Sequence, residues 1–428
     1  DNEIPKFELT PSSGGIAKTM QVKITAIEQK SGLAETNMQQ YYLSTSNTAL
    51  EGGKWLDYES GIEETIGAGK NGTYYLYVKQ LKDKAGNESN IIGDVVTRQD
   101  ESGNDIICQM FGPYEFDNSE PIVAVNPEYT TNESVDDGKA VKQQNVIITL
   151  KDVAQADLDD ANNSYEYFLS SSDSALTDGS WVSYRDLLSA KTTAATNNTA
   201  EDERTATITI GAGITGTRYL FIRTISDNSR TLDVNLNATD TIGNVSTGAG
   251  TLKTIDGTKY HMFGEYVFDN SSPSVNVTPE ATTNADVDDG KAKLSQDVTI
   301  ILADVGTAGL TSTDGTYYLS SSNTEIVDEE GNAITEGQPY TSGESFTIGD
   351  GKTGTYYLFV EQVSDKLGHL STTNGELKET ENGTKYHVFG PYVFDNSRPT
   401  VTVEPEFTTN PNVDDGKAVL SQNVKITL

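Results

Sequence analysis

One cysteine, three histidines, two tryptophans and thirty basic side chains in 428 residues set the first limits on this chain. A lone Cys108 forbids any intrachain disulfide, and it is expected to be a packed strand residue. Near absence of cysteine in a secreted chain is more typical of bacterial surface proteins than of animal ones. Against 64 acidic residues the 30 basic ones leave a net charge of −34, so no basic stripe exists to meet phosphates and nucleic acid is excluded as a partner. There is no signal peptide, no lipidation motif and no apolar run long enough to span a bilayer, so no membrane insertion is expected of this segment. His261, His369 and His387 come without H-E-x-x-H, G-x-S-x-G, a P-loop or C-x-x-C, and His261 and His387 share a strand position that holds Gln109 earlier in the chain. The expectation is a histidine on a sandwich surface, and no enzyme.

What the chain does have is repetition. A block of about forty residues starts at Phe111, Phe263 and Phe389, and its last two copies agree at about 28 of 40 positions. Each repeat opens with D-N-x-x-P, at Asp1, Asp117, Asp269 and Asp395, giving intervals of 116, 152 and 126 residues. The Asp-Asn pair favours a turn and the proline ends a strand, so this motif reads as the linker. The resulting organisation is a domain over 1–117, a second over 118–269 with a loop insertion at 191–204, a third over 270–395, and the first strands of a truncated fourth over 396–428. Two strands are too few for a stable sandwich, so the expectation is a segment of something longer, or completion by another molecule's strand.

Within each repeat the apolar residues alternate. Val123 and Val125 are followed by Val146, Ile148 and Leu150; Val275 and Val277 by Val298, Ile300 and Leu302; Val401 and Val403 by Val424, Ile426 and Leu428. Period two places each set on one face. A V-D-D-G-K-A turn lies between the two strands of each set. Then come Y-Y/F-L-S-[ST]-S, a T-I-G-x-G turn, a G-T-Y/R-Y-L strand and a D-x-x-G-[NH]-x-S turn. That last turn is assigned to Asp83–Ser89, Asp240–Ser246 and Asp365–Ser371. A Trp with a Tyr three positions on appears as Trp55 and Tyr58, then as Trp181 and Tyr184, whereas the third repeat has no Trp. About seven short strands per repeat, with turn signals every eight to twelve residues, predict an all-β fold of tandem antiparallel β-sandwiches.

The run G-T-Y-Y-L-x-V-[KE]-x-x-x-D-[KN]-x-G-N-x-S followed by F-D-N-x-x-P resembles bacterial immunoglobulin-like repeats, strung in tandem in large surface proteins of Gram-positive bacteria. The resemblance covers residues 1–395 and part of a fourth unit. It implies Ig-like sandwiches arranged as an extended rod, in stalks, adhesins and wall-anchored or layer-forming proteins.

Calcium is the candidate ligand. It takes six to eight hard oxygens and tolerates irregular geometry. The linker aspartates Asp117, Asp269 and Asp395 recur with the paired aspartates Asp136 and Asp137, Asp288 and Asp289, Asp414 and Asp415. D-D-G is also an ordinary turn sequence. Lys139, Lys291 and Lys417 recur with Asn118, Asn270 and Asn396 as candidates for a self-made Lys–Asn isopeptide bond, but that chemistry needs a buried acid and a desolvated lysine. The adjacent tyrosines Tyr41 and Tyr42, Tyr74 and Tyr75, Tyr317 and Tyr318, Tyr356 and Tyr357 each turn one ring outward, as strand tyrosines commonly do. The expected function is a structural or adhesive stalk at the cell surface. Alternatives are a self-assembling filament or S-layer subunit, and a carbohydrate-binding module. Partners would be neighbouring copies, other surface components, or a host or cell-wall ligand.

Overall fold

The computed structural model describes residues 1–34, 39–89, 94–152, 156–190, 202–372, 375–380 and 383–428. Of the insertion expected at 191–204, residues 191–201 lie outside the described ones; residues 202–204 open the strand Asp202–Ile210. Among the described residues the only helix is one 3₁₀ turn, Arg185–Leu187. The protein is all-β, and its residues fall into two compact units. The first holds 1–132 and 139–268, the second 133–138 and 269–428.

The first unit contains two sandwiches. In the first, Lys6–Thr10, Thr19–Ile27 and Glu63–Ile66 form one sheet. The facing sheet runs Gly14–Ala17, Asp105–Phe116, Gly72–Lys79, Gln40–Ser44 and Trp55–Asp57, with Asp94–Gln99 also paired to Asp105–Phe116. In the second sandwich Ile122–Asn126, Gln144–Asp152 and Asp202–Ile210 face Val182–Ser183, Glu166–Ser170, Gly216–Arg223, Thr258–Phe268 and Thr251–Ile255. The second unit repeats the plan: Ser274–Thr278, Gln296–Ala303 and Ser345–Ile348 face Gln338–Thr341, Asp314–Ser320, Gly354–Glu361, Lys385–Phe394 and Glu376–Glu379.

The alternating residues form the cores. Val123, Val125, Val146, Ile148 and Leu150 are buried together with Leu220, Phe263 and Phe268 from the opposite sheet. Val275, Val277, Val298, Ile300 and Leu302 meet Leu358, Phe389 and Phe394 in the same way. The fourth copy forms only the pair Thr402–Glu404 and Lys425–Thr427, with Val401, Val424, Ile426 and Leu428 exposed.

Two repeated motifs gain a physical reason. In F-G-x-Y, Gly264 has φ +127° where the pairing with Gly216–Arg223 shifts register, and a Cβ there would sit 3.1 Å from the Arg218 carbonyl. The tyrosine of the same motif returns to the chain near the start of its own repeat: Tyr114, Tyr266 and Tyr392 donate to the carbonyls of Pro11, Pro127 and Pro279 at 2.8, 2.7 and 2.7 Å.

The sheets are mostly antiparallel, and one kind of parallel pairing recurs in every repeat. A segment near the beginning pairs in parallel with the last strand: Gly14–Ala17 with Asp105–Phe116, Val141 with Phe268, and Lys293 with Phe394. The first and last parts of each sandwich are therefore directly hydrogen-bonded, by Val141 N–H to the Val267 carbonyl and Lys293 N–H to the Val393 carbonyl, both 3.1 Å.

Candidate functional site

The linker residues bind two different partners. Asn118 Nδ2 donates to the carbonyls of Lys18, Gly67 and Lys70 at 2.9, 3.1 and 2.7 Å, all in the first sandwich. Asp117, one residue earlier, turns to the second: its Oδ1 accepts the Ser119 N–H and hydroxyl at 3.0 and 2.6 Å, and its Oδ2 accepts the Ala156 N–H at 2.7 Å. Asn396 repeats the first grip on the carbonyls of Leu294, Gly349 and Lys352. Three linker residues, Asp117, Asn118 and Ser119, thus carry a dense set of hydrogen bonds where a flexible tether would carry none.

At three of the four linker aspartates two further acids converge, with carboxylate oxygens within 4.8 Å of one another: Asp1, Glu28 and Asp83; Asp117, Asp152 and Asp227; Asp269, Asp304 and Asp365. The second set is buried throughout. Burial, with the Asp117 charge adding, pushes the Asp227 carboxyl above its ordinary value. Burial also raises Asp269, but hydrogen bonds from Ser271 and from the Ala308 backbone outweigh it and leave its pKa lowered. These hard oxygens suit calcium by type. Much of their acceptor capacity is already used: Asp227 Oδ1 accepts from Ser229 and from the Asn244 N–H, and its Oδ2 from Asn244 Nδ2 at 2.8 Å.

The V-D-D-G aspartates are not in these triads. Asp136 and Asp137 are exposed; Asp136 is ion-paired with Lys366, and its N–H donates to the Ala308 carbonyl at 3.0 Å. Asp289 Oδ1 accepts the N–H groups of Lys291 and Ala292, both at 2.8 Å, and Asp415 does the same for Lys417 and Ala418. Such bonds hold a turn. Asp414 is exposed. Asp395 accepts from Ser397 and, with Asp288 and Asp289, lines an open cavity of about 610 Å³. In each triad one companion of the linker aspartate comes from a strand end, Glu28, Asp152 or Asp304, and the other from the turn that holds Asp83, Asp227 or Asp365. The signal of Asp152 and Asp304 was the repeated L-K-D-V and L-A-D-V at Leu150–Val153 and Leu302–Val305.

Two further expectations change. In the second repeat the acid equivalent to Asp83 and Asp365 is Asp227, not Asp240. Asn244 caps Asp227 just as Asn87 caps Asp83. The residues between Asp227 and Gly243 are an insertion, and they reach the first sandwich. Thr231–Leu232 adds in parallel to Thr19–Ile27, the Lys18 N–H donates to the Arg230 carbonyl at 2.9 Å, and Lys18 Nζ meets Asp240 at 2.8 Å. Leu232 packs on the first core.

Two of the three histidines are not on a surface. His261 and His387 are buried, with Nε2 2.9 and 2.7 Å from the hydroxyls of Ser246 and Ser371. Period two explains it: His261 shares the inward face of its strand with Phe263. His369 instead meets Asp365 at 2.7 Å. Cys108 is buried as expected, and burial pushes its thiol up to about 11. Lys139 pairs with Glu265 on the surface while the Asn118 amide is held by carbonyls, so this Lys–Asn pair is not set for an isopeptide bond.

No protein-family model matches the chain, and no curated protein matches it. Among solved structures it is similar to BcpA, the major pilin subunit of Bacillus cereus, at 11% identity over 92% of this chain and 99% of that one, with a TM-score of 0.21. No helix among the described residues is long and apolar enough to cross a membrane.

Proposed function

We propose that this chain is a non-enzymatic, load-bearing segment of an extracellular bacterial surface protein, with Ig-like sandwiches serving as mechanical spacers. The observation that carries the reading is the double grip of the linker, with Asn118 held by one sandwich and Asp117 by the next. The parallel pairing of early and late segments supports it. Tension applied to the two ends of such a pair loads its hydrogen bonds together in shear, whereas the end of an antiparallel hairpin opens one bond at a time. Forced unfolding reports the unfolding rate, so it tests the idea directly. Val141→Pro and Lys293→Pro each delete one clamp N–H. Single-molecule pulling is expected to show a lower unfolding force for the altered repeat only. Unchanged forces would remove the mechanical reading. A filament or layer subunit is the alternative within the same class, and concentration-dependent assembly in sedimentation would favour it.

Recurrence of the acidic triad at three linker aspartates favours a second element, calcium at the joints. Calcium bound to the folded state alone would stabilise by mass action. The thermal midpoint is expected to rise with millimolar calcium over chelator, and the rise to shrink in Asp152→Asn. An equal midpoint in both buffers means that the triads are held by protein hydrogen bonds alone.

A further inference from the structure

The third sandwich lacks the tryptophan of the other two, and what stands in its place can be read from the register. Each sandwich carries a second apolar cluster on the outer face of its larger sheet: Tyr42, Tyr77 and Cys108; Phe168, Phe221 and Tyr260; Phe359, Tyr386 and Val388. In the first two a tryptophan covers that cluster. Trp55 pairs with Tyr42 at a ring separation of 5.5 Å. Trp181 meets Phe168 at 5.5 Å and stacks on Tyr260 at 5.3 Å. A cation closes each tryptophan from outside, with Lys79 Nζ 4.6 Å from the Trp55 ring and the Arg223 guanidinium 4.0 Å from the Trp181 ring.

In the third sandwich Tyr317 pairs with Gln338, so the residue opposite Tyr318 is Gly337. Gly337 stands three positions before Tyr340, as Trp55 stands before Tyr58 and Trp181 before Tyr184. A Cβ built on Gly337 would sit 2.0 Å from the Thr316 Cγ2 and 2.8 Å from the Tyr318 Cζ, so both side chains close in where the tryptophan Cβ stands in the other sandwiches. The cation is replaced as well. Lys79 pairs with Cys108 and Arg223 with Tyr260, and the residue paired with Tyr386 is Glu361. The indole and the positive charge have been removed together.

Thr316 and Tyr318 fill the base of that space, and its outer part, over Tyr318 and Tyr386, stays open. Tyr340 follows Ser320 by 20 positions, against 14 from Ser44 to Tyr58 and from Ser170 to Tyr184. The added residues fold into a small hairpin, bridged at Val327 and Ala333 with the Ile334 N–H on the Ile326 carbonyl at 3.0 Å. This hairpin walls an open cavity of about 700 Å³, lined by Tyr318, Ile326, Val327, Ile334, Glu379 and Tyr386 among others. Its floor is aromatic, and Glu325 and Glu379 stand on its rim.

We propose that this cavity is a docking site for a partner polypeptide, which inserts an aromatic side chain with a Lys or Arg beside it. The incoming pair would occupy the place that Trp55 and Lys79, or Trp181 and Arg223, fill within their own sandwiches. Charge complementarity selects this occupant, because Glu361 replaces a cation and Glu325 adds a second carboxylate at the rim, while Glu379 is already paired with Lys385 at 3.9 Å. A second copy does not offer this pair: both tryptophans are engaged in their own sandwiches, and the exposed aromatics Tyr129 and Phe407 stand beside Glu128 and Glu406 instead of a Lys or Arg, so the partner is a different polypeptide.

The test uses the full chain with ¹³C-labelled tyrosine rings, followed by NMR. Acetyl-Trp-Lys-amide is expected to shift the Tyr318 and Tyr386 signals saturably, and acetyl-Trp-Glu-amide to bind about five- to ten-fold more weakly. Glu361→Lys lies on the exposed surface and should reverse that preference. Gly337→Trp, which restores the missing side chain, should abolish binding of both peptides. If Gly337→Trp does not fold, the Glu361→Lys reversal still decides. Equal binding of the two peptides, no change in Glu361→Lys, or shifts produced by cellohexaose in place of the peptides would each overturn the proposal.

Discussion

Lowering the pH from 7 towards 4 is expected to destabilise the second sandwich through His261, and His261→Gln is expected to remove most of that loss. His261 is 1% exposed, its Nε2 faces the Ser246 hydroxyl, and its Nδ1 has no hydrogen-bond partner among the described residues. Burial lowers its pKa from 6.5 to about 4. The folded state therefore binds fewer protons than the unfolded state between those two values. Its contribution to stability is complete above pH 6.5 and is lost as pH falls through that window. A depression of this size corresponds to about 3 kcal/mol at most, at 1.36 kcal/mol per pKa unit. Glutamine is the residue that the first sandwich carries at this position, as Gln109, buried without a charge. Asp227 works in the opposite direction. Its raised pKa means that protonation in acid relieves repulsion in the triad, so stability from this group is present in acid and lost as pH rises. The measurement is thus the difference between parent and His261→Gln in urea midpoints across pH 7 to 4. Parallel curves for the two proteins would refute the assignment.

The second large effect is expected at the inserted strand. Replacing Asn228–Ile242 by Lys-Ala restores the spacing that stands between Asp83 and Gly86 in the first repeat. It leaves Asp227, Gly243 and Asn244 in place, so the turn that closes the second sandwich can still form. What disappears between the sandwiches is the pairing of Thr231–Leu232 with Thr19–Ile27, the Lys18 to Asp240 ion pair, and the cover that Leu232 gives the first core; within the second sandwich the Arg230 to Asp159 ion pair goes too, and Asp159→Asn in the shortened protein removes the carboxylate that this leaves buried. Backbone pairing and the partial burial of one leucine together contribute about 2–4 kcal/mol. Heating the shortened protein should split the melting of the first two sandwiches into separate transitions. Protease cleavage at 117–121 should also speed up by about ten-fold or more, since 1.4 kcal/mol is a factor of ten in the open population. A single unchanged transition, with cleavage as slow as in the parent, would show that the linker bonds alone join the pair.

The fold was legible because its signal is local. Val146, Ile148 and Leu150 alternate, and Gly264 stands where a bulge needs positive φ, so strands and turns could be placed residue by residue. The triads were only half legible. Asp117 and Asp269 announced themselves by repetition, but their companions Asp152 and Asp304 arrive from strand ends over thirty residues away, a proximity created by the sandwich and not by the sequence. The paired V-D-D-G aspartates looked richer in charge, yet Asp289 and Asp415 use theirs on the next backbone N–H groups. Asp240 mimics Asp227 in the sequence because an insertion separates the acid from its G-N-x-S partner. The signal that could have corrected this is Asp227-Asn228-Ser229, which repeats the linker's own Asp-Asn-Ser. His261 was misplaced for a simpler reason: its parity with Phe263 already put it on the inner face.

The strand that crosses from the second repeat into the first has a bearing on how such arrays change over time. Near-identical blocks like those at Phe263 and Phe389 invite recombination that adds or deletes whole modules. Around Asp117 that traffic meets an obstacle. A crossover there would part Leu232 from the sheet edge that receives it, leaving one product with a bare edge and the other with an orphaned arm. The first two modules are therefore expected to be inherited as a pair.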